Sequence, residues 1–120
     1  MRSETAAANA TAVDVRTGAV LIKNIKVTQR TTDAPRLFLQ IFNLHNPTVG
    51  TTDPEIVIPV PAGNANLDAA SLSIEAMSPT GGLYLSTGFA YAVTTAFDGL
   101  TAPDAGDEPQ VLIDYNQLGA

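Results

Sequence analysis

His45 is the single imidazole of the chain and stands between Leu44 and Asn46, where an apolar run gives way to a loop. An imidazole acts as a general base only with a nucleophile in hydrogen-bond reach, and it holds a metal best beside further donors. There is no second histidine to pair with it, no cysteine to offer a thiolate, and no G-x-S-x-G elbow to supply a serine. His45 therefore reads as a loop or interface histidine. Asp98, Asp104, Asp107 and Glu108 crowd one segment, and carboxylates at that density have the chemistry of a calcium site. Their spacing departs from the D-x-[DN]-x-[DN]-G pattern, and Pro103 and Pro109 restrict how the segment folds back, so a solvated acidic loop is expected.

Gly81-Gly82 has neither the G-x-G-x-x-G spacing nor the lysine of a P-loop, and it reads as a turn. Lys23, Lys26, Arg30 and Arg36, four of the six basic groups, lie in the first third of the chain. On strands Lys26 and Arg30 share a face and Lys23 takes the other. Such a patch suits either an acidic partner surface or plain solvent contact. Asn9-Ala10-Thr11 fits the glycosylation pattern, which carries no weight without a secretory signal. No catalytic, cofactor-binding or metal-binding constellation emerges, so the expectation is a protein that is not an enzyme and needs no cofactor.

Composition narrows the classes further. At 120 residues the chain makes one domain, and 45% hydrophobic against 15% charged residues is too apolar for a disordered chain. Six basic against twelve acidic residues give a net charge of −6, the wrong sign for tracking nucleic-acid phosphates. Without cysteine there is no disulfide frame. The opening Met1-Arg2-Ser3-Glu4-Thr5-Ala6 lacks the apolar segment of a signal peptide, and no apolar run approaches the roughly 20 residues of a membrane span. A product made in the cytoplasm with no membrane contact is expected.

The elements that must position these groups read as strands. Residues 1–17 are Ala, Thr, Asn and Ser with isolated charges, with Val13 and Val15 their only large apolar side chains apart from Met1. Ordering a backbone costs about 1–2 kcal/mol per residue, which this stretch cannot offset alone, so an extended N-terminal arm is predicted ahead of a sandwich domain spanning 18–120. From Ala19 to Thr28 one strand is expected, bent near Lys23-Asn24, with Ile25 and Val27 on one face and Lys26 and Thr28 on the other. Arg36 to Leu44 is apolar on both faces, with Leu37, Leu39 and Ile41 opposite Phe38, Gln40 and Phe42; it needs a layer on each side, or a second subunit over one of them.

Residues 46–54 read as a loop, and Glu55 to Pro61 as an edge strand whose alternate prolines turn their missing donors outward. Leu67 to Glu75 is read as a strand over a competing helical turn. Leu83 to Leu85 leads into Phe89 to Thr95, where Phe89, Tyr91 and Val93 alternate with Ala90, Ala92 and Thr94, a bulky face and a small one. Phe97 to Pro109 is an acidic loop and Val111 to Asn116 the last strand. Short strands separated by turn signals, with no helical periodicity, predict an all-β antiparallel sandwich of the jelly-roll or Greek-key kind.

Three segments carry a resemblance: Phe42-Asn43 followed by Pro47-Thr48-Val49-Gly50-Thr51-Thr52-Asp53-Pro54, then Ile58-Pro59-Val60-Pro61-Ala62-Gly63, then Gly82 through Thr95. In this order and spacing, over about half of the chain, they resemble small structural proteins of tailed bacteriophages. The resemblance implies a virion protein with a β-sandwich fold and no enzymatic activity, located on the head or at the neck and tail. A capsid decoration (cement) protein, homo-oligomeric as a trimer and bound to the major capsid protein on the particle surface, is the leading expectation. A neck, tail or fibre-base component and a displayed carbohydrate- or receptor-binding sandwich are its rivals. The contact residues expected are Val13, Val15 and Arg16 of the arm, Phe38 and Phe42 of the two-faced strand, and Ile58 and Val60 of the edge.

Overall fold

The computed structural model describes residues 1–29, 35–62, 69–73, 81–97 and 99–118. Among them are nine strands and no helix: β1 (Arg2–Thr5), β2 (Val13–Thr17), β3 (Val20–Thr28), β4 (Leu37–Phe42), β5 (Ile56–Val60), β6 (Ala69–Ser73), β7 (Leu83–Leu85), β8 (Gly88–Thr94) and β9 (Gln110–Gln117). They form two antiparallel sheets, one in the order β1-β9-β3-β6 with β7 added to the first part of β3, the other in the order β2-β8-β4-β5. The chain is an all-β sandwich. The strand predicted between Leu67 and Glu75 is β6, and Leu67, Asp68, Ile74 and Glu75 lie outside the described residues.

The interior follows from alternation. Leu37, Leu39 and Ile41 of β4 and Phe89, Tyr91 and Val93 of β8 face Val20, Ile22, Ile25 and Val27 of β3 and Val111, Ile113 and Tyr115 of β9 in one cluster. Fully burying one such aliphatic or aromatic side chain contributes roughly 1.5–3 kcal/mol, and these interlocking rows hold the sheets together. Phe89 meets Tyr115 of the opposite sheet edge to face, with ring centroids 5.5 Å apart.

The expected bend in β3 is a bulge. Its pairing with β9 steps from Ile22↔Tyr115 to Asn24↔Asp114, so that Lys23 is the extra residue. Val20 and Ile22 sit at even positions, Ile25 and Val27 at odd ones; without the inserted residue one of the two pairs would face solvent.

Residues 1–17 do not stand apart as an arm. Strand β1 pairs with β9 from Arg2↔Asp114 to Thr5↔Val111, and β2 pairs with β8 from Val13↔Tyr91 to Thr17↔Gly88, each at the edge of a different sheet. The sandwich therefore includes the segment predicted to lie outside it. What offsets the ordering cost is backbone pairing to strands near the other end of the chain, together with the burial of Ala8 and the inward packing of Val13 and Val15. The connection between them is also tied down: Ala8 is buried and its N–H donates to the Pro109 carbonyl at 2.8 Å, while the Asn9 carbonyl accepts from Val93 N–H at 2.8 Å.

Strand β5 is the edge that its prolines predict, paired only with β4, with exposed Pro59 opposite Phe38. The bulky and small faces of β8 are likewise as the alternation indicates. Phe89, Tyr91 and Val93 enter the core, and Ala90 and Ala92 lie on the other side in a second cluster with Phe42 and half-buried Val49.

Candidate functional site

The second sheet has an outer face of Phe38, Gln40 and Phe42 on β4 and Ala90, Ala92 and Thr94 on β8, in register as Phe38↔Thr94, Gln40↔Ala92 and Phe42↔Ala90. Left bare, this face would expose a broad apolar patch. The chain covers it with two of its own loops, residues 43–55 and 95–109. From the first, Val49 packs on Phe42 and the two alanines. From the second, Phe97 sets its ring edge-on to Phe38 with centroids 6.0 Å apart. The cover that the sequence assigns to a packed layer or a second subunit is thus internal.

Gln40 explains how the second loop is held. It is buried among apolar neighbours, and its amide Nε2 donates to Thr94 Oγ1 at 2.9 Å and to the Gly99 carbonyl at 3.0 Å. Thr94 Oγ1 in turn donates to the Ala96 carbonyl at 2.7 Å, Thr95 N–H donates to the Thr101 carbonyl at 3.0 Å, and Gly99 N–H to the Ala96 carbonyl at 3.3 Å. A buried amide with both donors engaged is a fixed post, since freeing it would strand polar groups away from water. The two loops also touch each other. Gly50 adopts φ +87°, open to glycine at little cost, and a Cβ there would come within 2.7 Å of Leu100 Cβ.

On this pinned loop Phe97 and Leu100 point outward, 61% and 64% exposed. They are the large apolar side chains that the sequence reading passes over, and the signal for them is plain in retrospect: a Phe and a Leu three residues apart in an otherwise polar, acidic Gly/Pro loop.

The expected contact residues fall differently. Phe42 and Val60 are fully buried in the chain's own core and have no surface to offer a partner. Val13, Val15 and Ile58 are half-buried and pack inward against the main cluster. Arg16 lies by the bulge of β2, with its Nη2 3.5 Å from the Leu118 carbonyl and its Nε buried without a hydrogen bond. Of the two on the outer face of the second sheet, Phe42 is closed over by Val49 and Phe38 keeps partial exposure beside Phe97. The segments expected to meet a partner were chosen for apolar pattern, and apolar pattern reports burial first.

His45 is exposed at the end of the sandwich, where the chain passes close to Gly88: a Cβ on Gly88 would approach His45 N to 2.5 Å. Asn43 shapes this end, its Oδ1 accepting from Thr87 N–H at 2.8 Å and its Nδ2 donating to Ser86 Oγ at 3.2 Å. Asp14 Oδ1 accepts from Asn46 N–H at 2.8 Å, fixing a residue with φ of 63°. These polar groups serve the turn. Among the described residues no group of three His, Asp or Glu side chains is placed to hold a metal ion, and Asp98 lies outside them.

Of the basic residues, Lys26 is exposed on the outer face of the first sheet, Arg36 is exposed just before β4, and Arg30 is outside the described residues. On that outer face Arg2, Glu4, Lys26, Thr28, Gln110 and Leu112 line a shallow hollow of about 210 Å³. Two of its charged groups are engaged locally, Arg2 Nε with Asp114 Oδ1 at 3.3 Å and Glu4 Oε1 with Gln110 Nε2 at 3.2 Å. Exposed pairs of this kind contribute little, and the hollow has no converging geometry. Of the three tyrosines, Tyr91 and Tyr115 belong to the core and Tyr84 is exposed. Compared with known proteins, the chain matches no family model, no curated protein and no solved structure.

Proposed function

We propose that this chain is a structural protein of a bacteriophage virion, a decoration protein that binds the assembled head shell and stabilises it. The observation that carries the reading is the placement of the three segments that resemble small tailed-phage proteins. The loop 47–54 covers the second sheet, the edge strand β5 and strand β8 belong to it, and only β7, within the run from Gly82, pairs with β3 of the first. The strand order supports it as well. With β7 set aside, the other eight strands lie in the orders β1-β9-β3-β6 and β2-β8-β4-β5, which we read as the jelly-roll arrangement used by viral capsid domains among others.

In mechanism such a protein acts by linkage: by binding the assembled lattice and not the free subunits, it makes disassembly costlier by its own binding free energy. The contact proposed is with the shell protein. A homotrimer remains part of the proposal, although the loops over Phe38 and Phe42 already cover the outer face of β4 without a second subunit.

The test is the number of copies of this protein per purified particle, measured by quantitative mass spectrometry against the most abundant shell protein. A number comparable to that of the shell protein is the expected result. A few copies per particle would move the protein to the neck or tail, and none would overturn the virion reading.

A further inference from the structure

We infer that Phe97 and Leu100 form the anchor of a protein-docking surface whose partner presents an apolar recess rimmed by lysine or arginine. The identity of that partner as the phage shell protein rests on the function proposed above.

Three observations converge on this surface. The side chains are apolar and more than half exposed, although the loop carrying them is fastened by Gln40, by the Thr95–Thr101 pairing and by its contact with Gly50. A loop fixed in this way loses little further entropy on binding, which is what makes a protruding aromatic an effective anchor. Phe97 and Leu100 are also only three residues apart, so their Cα atoms lie within about 11 Å of each other, inside the span of one recess.

The third observation is charge. Nine of the twelve acidic residues and none of the six basic ones lie after position 36. Among the described residues the loops 43–55 and 95–109 together contain five carboxylates, of which Asp53, Glu55 and Asp104 are exposed, and no Lys or Arg. A second copy docking through the same face would set these carboxylates against each other, which disfavours the symmetric dimer. A basic rim is favoured, and it would draw the partner in at low ionic strength.

The experiment supplies variants in place of the native protein during particle growth and counts copies per purified particle. Phe97→Ser with Leu100→Ser is expected to reduce the copy number about tenfold or more, as loss of central anchors does. Because Phe97 also packs on Phe38, thermal melting of the purified variant checks its fold, and the exposed pair Asp53→Lys with Asp104→Lys provides a second variant remote from the core. It is expected to lower the copy number too, and to lose most of the salt sensitivity shown when particles bearing the native protein are washed at rising ionic strength. If the native chain is present in particles and folded variants of both kinds are incorporated equally, the docking surface is overturned and the virion reading stands. If the native chain is absent from particles, the virion reading falls and this partner with it.

Discussion

Thr5 Oγ1 lies 2.6 Å from the hydroxyl of Tyr91, joining the edge strand β1 of one sheet to the central strand β8 of the other, and Ser3 Oγ meets the same hydroxyl at 2.8 Å. Tyr91 is fully buried, and a phenol in that position has to find partners or lose about 1–3 kcal/mol. A strand of Arg, Ser, Glu and Thr has no large apolar group to bury. It earns its place by completing the hydrogen bonding of a core residue.

Replacing Tyr91 with Phe is therefore expected to destabilise the fold by about 1–2 kcal/mol, because both hydroxyls of β1 lose their partner. Ser3→Ala should cost less than this, since Thr5 still satisfies the phenol. Urea denaturation followed by circular dichroism measures both. Equal effects would show that Thr5 contributes nothing.

Gln40→Ala should free the 95–101 loop. The substitution removes two hydrogen bonds and leaves a void beneath the Gly99 carbonyl, at an expected cost of about 2–3 kcal/mol. Amide exchange at Thr95, whose N–H is bonded to the Thr101 carbonyl, is expected to accelerate before the core amides of β4 do. Uniform acceleration across the protein would mean that the loop is not a separate unit.

Gly88→Ala is expected to be among the most damaging small substitutions, at about 3 kcal/mol. Its new methyl would lie 2.5 Å from His45 N, 3.0 Å from the Leu44 carbonyl carbon and 3.1 Å from the Arg16 carbonyl oxygen, all backbone atoms that cannot swing aside. Gly106 offers the control: it also lacks a side chain, but a Cβ there meets nothing within 4 Å, so Gly106→Ala should cost only the strain of its φ of 93°, about 1 kcal/mol. Thermal melting of the two variants side by side decides.

Pro59→Thr should change association more than stability. Pro59 is exposed on the outermost strand of its sheet, and threonine would restore an N–H donor to an edge that now lacks one there. Light scattering on concentrated solutions is expected to show aggregation that the native protein resists, with a melting temperature close to the original.

The parts of this fold that were legible in the sequence are those where a side chain's own polarity declares its surroundings. Ile25 and Val27 against Lys26 and Thr28 marked β3, Pro59 and Pro61 marked an edge, and Phe89, Tyr91 and Val93 against two alanines marked a strand with unequal faces. Strands β1 and β2 were missed because their place depends on residues 71 to 112 positions away. Ser3 and Thr5 look like solvent-facing residues until Tyr91 is known to sit above them. The outer face of β4 was read correctly as needing cover, but pattern alone does not distinguish a neighbouring molecule from a loop folded back by one buried glutamine. Attention to the apolar side chains of strands also drew the expected contacts inward to Phe42 and Val60, which are buried, and passed over the exposed Phe97 and Leu100.

The strand order has a consequence for how the chain comes off the ribosome. β9 is flanked by β1 and β3 in its sheet, and β8 by β2 and β4 in the other, so each sheet has an inner strand drawn from the last third of the sequence. Until those strands emerge, β1 and β2 have no partner to join, and the pairings open to the nascent protein are β4 with β5 and β3 with β6 and β7. Folding of such a non-local topology is expected to take milliseconds to seconds, and to begin only when synthesis is nearly over. During that interval, the prolines of β5 guard one of the few strand edges already formed.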